Sequence, residues 1–206
     1  MRSNFLKRLK ILLFTALLIV PISGCYIPAS FDAEIEVGRA GFYKITFEGY
    51  MAEMNLFNKV VKDHISPKEE AERVERLKND LMRDSSTKLF EYFKKGHFRI
   101  KWEKQGDILK SKMVSFLRRN ENLLSISYVK SKQIVSIRGT PISKLNAQRM
   151  IDLGLGFQGS LKVITDAKVI SHNANKVKDG EGRKKTYIWV ITSPFDPSPK
   201  LSFNLR

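Results

Sequence analysis

Two periodicities alternate along the chain from residue 31 onward. Over 31–37, Phe31, Ala33, Ile35 and Val37 are interleaved with Asp32, Glu34 and Glu36, the period of a strand with one face buried. Gly38 and Gly41 bracket a turn, and the alternation resumes over 42–50 with Tyr43, Ile45 and Phe47 on one side, which predicts an antiparallel hairpin. Residues 51–65 carry Met54, Phe57, Val60, Val61 and His64 at spacings of three and four, as an amphipathic helix does. The next helix announces its own start. Ser66-Pro67-Lys68-Glu69 is a capping box with proline at the first helical position, and Glu69, Glu70 and Glu72 suit the positive end of the helix dipole. Ala71, Val74, Leu77, Leu81, Leu89 and Phe93 then share one face, and Lys94, Lys95 and Gly96 supply stop signals. The expectation is a helix over 67–94, a rod of about 40 Å, with Asp84-Ser85-Ser86 as the place for a kink or a break.

From His97 the period returns to two. Phe98, Ile100 and Trp102 face one way and Arg99, Lys101 and Glu103 the other. A turn at 105–107 and strands over 108–117, 123–130 and 133–138 predict an antiparallel meander. Residues 141–153 read as a short helix, 160–170 as a strand, 172–182 as polar turns, and 184–193 as a strand with both faces buried. Pro194, Pro197 and Pro199 end that strand, and 200–205 adds an edge strand. The predicted class is α+β: one domain over 31–206, a twisted antiparallel sheet with the long amphipathic helix packed on one face.

The first twenty-five residues follow a different logic. Arg2, Lys7, Arg8 and Lys10 form a basic segment without acidic residues, and 11–20 is apolar except for Thr15. That run has the length of a secretory signal and is shorter than the roughly 18–20 residues that span a bilayer. Pro21 breaks it, and Ile22-Ser23-Gly24-Cys25 follows. This tetrad resembles the lipobox of bacterial lipoproteins. The resemblance implies cleavage between Gly24 and Cys25, diacylglyceryl and acyl (palmitate-type) modification of Cys25, a signal peptide over 1–24 and a lipidated tether over 25–30. Two or three acyl chains, at about 0.8 kcal/mol per buried methylene, make a permanent anchor. Tyr26 and Ile27 follow the cysteine in place of aspartate, which by resemblance to Gram-negative sorting implies the outer membrane, facing the periplasm, if the source has one.

Composition sharpens this placement. Cys25 is the single cysteine, so once lipidated it leaves no thiol for a disulfide, a thiolate metal site or a cysteine nucleophile. Lys and Arg number 37 against 21 Asp and Glu, a formal charge of +16, of which only Arg2, Lys7, Arg8 and Lys10 depart with the signal. In the cytoplasm such a charge points to nucleic acid. Outside it the available polyanions are lipid headgroups and wall polymers, so the expected partners are the membrane and an envelope anion, with no nucleic acid. Basic residues recur at 99, 101, 104, 110, 112, 118 and 119. Arg99, Lys101, Lys110 and Lys112 are the candidate anion-binding set, and a plain solvated face is the alternative.

No catalytic residue, metal or cofactor emerges. His64 lacks the companion donors a metal needs. The run 154–159 matches GxGxxG, yet it follows a predicted helix instead of leading into one, so Gly154, Gly156 and Gly159 read as turn glycines before a strand. His172 with Asn173 and Asp166 suggests a hydrolase dyad, but no GxSxG elbow or HExxH motif accompanies it; the alternative is a turn tied by side-chain to backbone hydrogen bonds.

The order Gly159-x-Leu161, Thr165-Asp166, His172-Asn173-Ala174 and Tyr187-x-Trp189 resembles the C-terminal part of the LppM-like envelope lipoproteins. That resemblance implies a small domain of antiparallel sheet and helix, and a lipid-associated or interaction role without chemistry. The expected function is therefore noncatalytic: binding lipid or another envelope anion in a groove between helix and sheet, or docking within an envelope protein complex. Lipid binding calls for an apolar cavity with a basic mouth, docking for a filled core and an exposed apolar patch.

Overall fold

The computed structural model describes residues 26–118 and 121–205. Its strands are β1 (Tyr26–Val37), β2 (Phe42–Glu53), β3 (Thr87–Lys94), β4 (His97–Asp107), β5 (Met113–Arg118), β6 (Glu121–Val129), β7 (Ile134–Gly139), β8 (Gln158–Thr165), β9 (Lys168–His172), β10 (Lys176–Asp179), β11 (Lys185–Ile191) and β12 (Lys200–Asn204). The helices are short: α1 (Met54–Val61), α2 (Pro67–Met82), α3 (Ile108–Ser111) and α4 (Lys144–Asp152).

The strands form two sheets, ordered β10-β11-β8-β1-β2-β4-β3 and β5-β6-β7-β12-β9. The expected α+β architecture is thereby overturned: the protein is mostly β, and among the described residues no long amphipathic helix lies on a sheet face. The two sheets share one core. Ile35, Ile45, Phe47, Ile100 and Trp102 of the larger meet Phe116, Ile126, Val135, Ile137 and Phe203 of the smaller in a single buried cluster. Phe47 and Phe116 stack across the interface with ring centroids 4.2 Å apart, and Trp102 meets Phe116 edge-on at 5.1 Å. Burial of this continuous apolar layer is what holds the sheets together.

The helix from Pro67 starts as expected. Ser66 Oγ accepts from the Glu69 amide at 3.3 Å and the Glu69 carboxylate takes the Ser66 amide at 2.9 Å. It ends at Met82 because Asp84 builds a turn: its carboxylate takes the Ser86 amide at 2.9 Å and the Trp102 indole N–H at 3.1 Å, while its carbonyl accepts from the Thr87 amide at 2.9 Å. Burial pushes the Asp84 carboxyl up, but these hydrogen bonds outweigh it and hold the group below its ordinary value. Beyond the turn the chain becomes β3, the edge partner of β4. Leu89 and Phe93 continue the helical stripe only on paper, since residues four apart share a face in a strand as well as in a helix.

Further expectations are corrected. The stretch 26–30, where a tether is expected, is hydrogen-bonded strand, with Tyr26 opposite Glu53 and buried. Residues 108–111 form α3 and carry the chain from one sheet to the other before β5. The 172–182 stretch contains β10. The last strand, β12, is interior, between β7 and β9, and β11 buries Tyr187, Trp189 and Ile191 but leaves Val190 exposed. The larger sheet is also mixed, because β1 pairs parallel to β8.

Candidate functional site

At the end of the sandwich where β1 begins, the two sheets do not close on each other. A cavity of roughly 750 Å³ lies between them, within the range of small-molecule pockets. Phe31 and Ala33 of β1, Phe47 of β2, Leu161 of β8 and Ile191 of β11 form one wall; Phe116 and Leu124 of the smaller sheet form the other. α4, α1 and the segment 194–199 close the end. The charged groups in the lining are Lys62, Arg149, Asp152 and Asp196; the first three are exposed and mark the mouth. The expected groove between helix and sheet is thus a space between sheets.

Three local devices shape it. Phe31 sits in register with Gly49 on one neighbour and Gly159 on the other, and both glycines are there because Phe31 needs the room. Its ring stacks on Phe47 at 5.6 Å and meets Phe157 at 6.3 Å, so aromatic rings line one wall and bridge to Phe116. Ser143 caps α4 by accepting from the Asn146 amide at 3.2 Å. Its other end is a Schellman turn: Gly154, at φ +67°, donates to the Ile151 carbonyl at 2.8 Å and Leu155 to the Met150 carbonyl at 2.9 Å. Gly154 is thus a helix cap, whereas Gly159, expected in a turn, lies within β8. The segment after β11 is tied by Asp196, whose carboxylate takes the amides of Thr192 at 2.7 Å and Ser193 at 3.0 Å. The Thr192 amide, and behind it the Ser193 amide and Thr192 hydroxyl, hold that carboxyl below its ordinary value against the effect of burial.

Gly24 and Cys25, the cleavage and lipidation residues, and the 1–24 signal lie outside the described residues. The four candidate anion-binding residues are not brought together. Arg99 and Lys101 lie on the outer face of β4 and share Glu48, Lys101 at 3.4 Å; Arg99 also faces Glu91 at 3.6 Å. Hydrogen bonds from Arg99 first and Lys101 second hold Glu48 below its ordinary value. Lys110 lies on α3, and Lys112 donates to the Leu109 carbonyl at 2.8 Å, with its ammonium 5.8 Å from the Tyr128 ring centroid. None of the four lines the cavity.

The hydrolase alternative fares no better in geometry. His172 Nδ1 accepts from the Ala174 amide at 3.2 Å and its ring packs edge-on against Tyr187. Asn173 accepts from the Trp189 indole at 2.8 Å and the Lys200 amide at 2.7 Å, and donates to the Ser198 carbonyl at 2.9 Å. Asp166 instead takes the Arg39 amide at 2.8 Å. His64 is exposed after α1, and among the described residues no group of three or more His, Cys, Asp or Glu side chains could hold a metal.

The residues that do make the cavity gave little sign of it. Ala33, Phe47 and Leu161 read as ordinary inward positions, and the prolines at 194, 197 and 199 as strand terminators. A small Ala33 among large inward neighbours was the one local hint. No family model matches the chain, and no curated protein matches it by sequence. Among solved structures it is similar to the NMR structure of the folded domain of LppM from Mycobacterium tuberculosis, with 11% identity, coverage of 89% of this chain and 94% of that one, and a TM-score of 0.46. No described helix is long and apolar enough to cross a membrane.

Proposed function

We propose that this chain is a lipid-anchored protein of a bacterial envelope that holds the acyl portion of an amphiphile between its two sheets, without chemistry of its own. The observation that carries the reading is the cavity of roughly 750 Å³: its walls are mainly aromatic and aliphatic, and Lys62, Arg149 and Asp152 stand exposed at its mouth, the arrangement that suits a molecule with an apolar tail and a polar head. The anchor rests on the basic segment, the apolar run and the Ile22-Ser23-Gly24-Cys25 tetrad.

Native mass spectrometry of residues 26–206, expressed without the signal, tests the ligand. Retained lipid-sized adducts support the reading. A clean apoprotein that still captures no added phospholipid overturns it, and recovery of one stoichiometric envelope protein would then favour docking. Incorporation of radiolabelled palmitate into the full chain, abolished by Cys25→Ser, tests the anchor separately.

A further inference from the structure

The fold starts where the anchor would end. Tyr26 follows Cys25 directly, and it is already buried in β1 and paired with Glu53. Adjacent Cα atoms are about 3.8 Å apart, so whatever holds Cys25 holds this end of the sandwich with no spacer. Tyr26, Ile27 and Pro28 line the cavity. α1 begins at Met54, one residue past the partner of Tyr26. α4 joins α1 there through a second small core of Ala52, Phe57, Met150 and Leu155, against which Ile27 packs.

The elements at this end leave large apolar side chains in the open. Val61 of α1 is 50% exposed, Leu145 and Ile151 of α4 are 63% and 48% exposed, and Phe195 beside the mouth is 49% exposed. Lys62, Lys144 and Arg149 stand among them, exposed. The carboxylates at this end mostly serve the fold: Glu53 caps α1 through the Asn55 and Leu56 amides, Asp152 accepts from Gln148, and Asp196 takes two amides, while Asp63 is exposed beside Lys62. Exposed apolar groups flanked by exposed cations are the chemistry of a surface that sits at the boundary between headgroups and acyl chains of an anionic bilayer.

We infer that this end is a membrane-contact face, resting on an anionic lipid surface, so that the cavity opens onto the bilayer and exchanges its occupant directly with the leaflet that holds the anchor. The inference rests on the lipid-anchor reading above and adds an orientation to it. Val61, Leu145 and Phe195 enter the headgroup layer, and Lys62, Lys144 and Arg149 meet lipid phosphates. The 38–41 turn, at the other end of the twelve-residue β1, stands about 40 Å away in solvent.

Cys25 is the one thiol of the chain, and under the lipid-anchor reading acylation occupies it, so a label reports only the introduced cysteine. Single substitutions Leu145→Cys, Phe195→Cys and, as control, Ala40→Cys are made in the full-length chain, labelled with a thiol-reactive nitrobenzoxadiazole, and reconstituted in phosphatidylethanolamine–phosphatidylglycerol vesicles containing nitroxide-labelled lipid. All three positions are exposed, so the fold tolerates them. The expected result is several-fold stronger quenching at 145 and 195 than at 40, reduced by Lys62→Glu with Arg149→Glu. Equal quenching at all three sites, with palmitate present on Cys25, overturns the orientation and leaves the anchor standing. Absence of palmitate removes the anchor and the orientation together.

Discussion

Phe31 occupies the space that a side chain at Gly159 would need. A β-carbon at Gly159 would lie 2.5 Å from the Phe31 carbonyl oxygen and 2.6 Å from its ring Cδ1, and one at Gly49 would lie 2.6 Å from the Phe31 Cβ. Two glycines on the flanking strands therefore let one aromatic residue lie against both and line the cavity beside Phe47 and Phe157.

The three glycines of the 154–159 run should consequently respond differently to alanine. Gly159→Ala forces Phe31 or the β1–β8 pairing to move and should cost about 1–3 kcal/mol, the usual range for overpacking. Gly154→Ala keeps open space but must hold φ +67°, at about 1–2 kcal/mol. Gly156→Ala meets nothing nearer than 3.7 Å at a permitted φ and should stay within about 0.5 kcal/mol. Urea midpoints at constant slope read all three, and equal losses would contradict the distinct roles assigned to them.

Much of the larger sheet was legible because its signals are local. Phe31 to Phe47 alternate in pattern, the turn glycines stand between, and the hairpin β1–β2 follows. The start of α2 was equally plain, since Ser66, Pro67 and Glu69 carry it within four residues. The break at Asp84-Ser85-Ser86 was legible too, but not the strand that follows it, because the turn at Asp84 is held by the Trp102 indole, 18 residues away. The parallel pairing of β1 with β8 joins Ala33 to Leu161, and no periodicity in either segment encodes its partner. The cavity was least legible of all: it exists because two sheets diverge at one end, where residues from nine elements and loops meet, each individually an ordinary core or turn position.

Asp84 links stability to pH. Its carboxyl is held below its ordinary value in the fold, so the stability it confers is complete above the unfolded value of about 3.9 and is lost as pH falls through the lowered folded value. Asp84→Asn keeps the shape but leaves a single acceptor oxygen, so one of the N–H groups of Ser86 and Trp102 meets an amide NH2 and the other bond loses its charge assistance, at about 1–3 kcal/mol near neutral pH. Denaturant unfolding at pH 7 and below pH 4 should show a smaller gap in the variant than in the parent. An unchanged gap would mean that other carboxylates set the acid response.

Asn173 is expected to matter more than its histidine neighbour. Its amide ties β11 through Trp189, β12 through Lys200, and the 194–199 segment through Ser198. Asn173→Ala removes three hydrogen bonds, two of them exposed so that water replaces the partner, and should cost about 1–3 kcal/mol, from roughly 0.5–1.5 kcal/mol per bond. His172→Ala, which loses one weak contact to Ala174 and a ring contact with Tyr187, should cost about 1 kcal/mol. Thermal melts of the pair test this order, and a reversal would reopen a special role for the imidazole.

Ala33 offers the most direct test of what the cavity is for. It lies in register between Phe47 and Leu161, and all three line the space between the sheets. Ala33→Phe projects a ring into that space where a void already exists, so the strain of overpacking is smaller than in a filled core, and the loss should stay at or below about 1–2 kcal/mol. Filling the void also recovers dispersion contacts that its lining otherwise lacks. The bound amphiphile, by contrast, loses the room for its tail. Native mass spectra of the variant should therefore lose their lipid adducts while its unfolding midpoint barely moves. Adducts that persist in a folded Ala33→Phe protein would place the ligand elsewhere, on the outside of the sandwich.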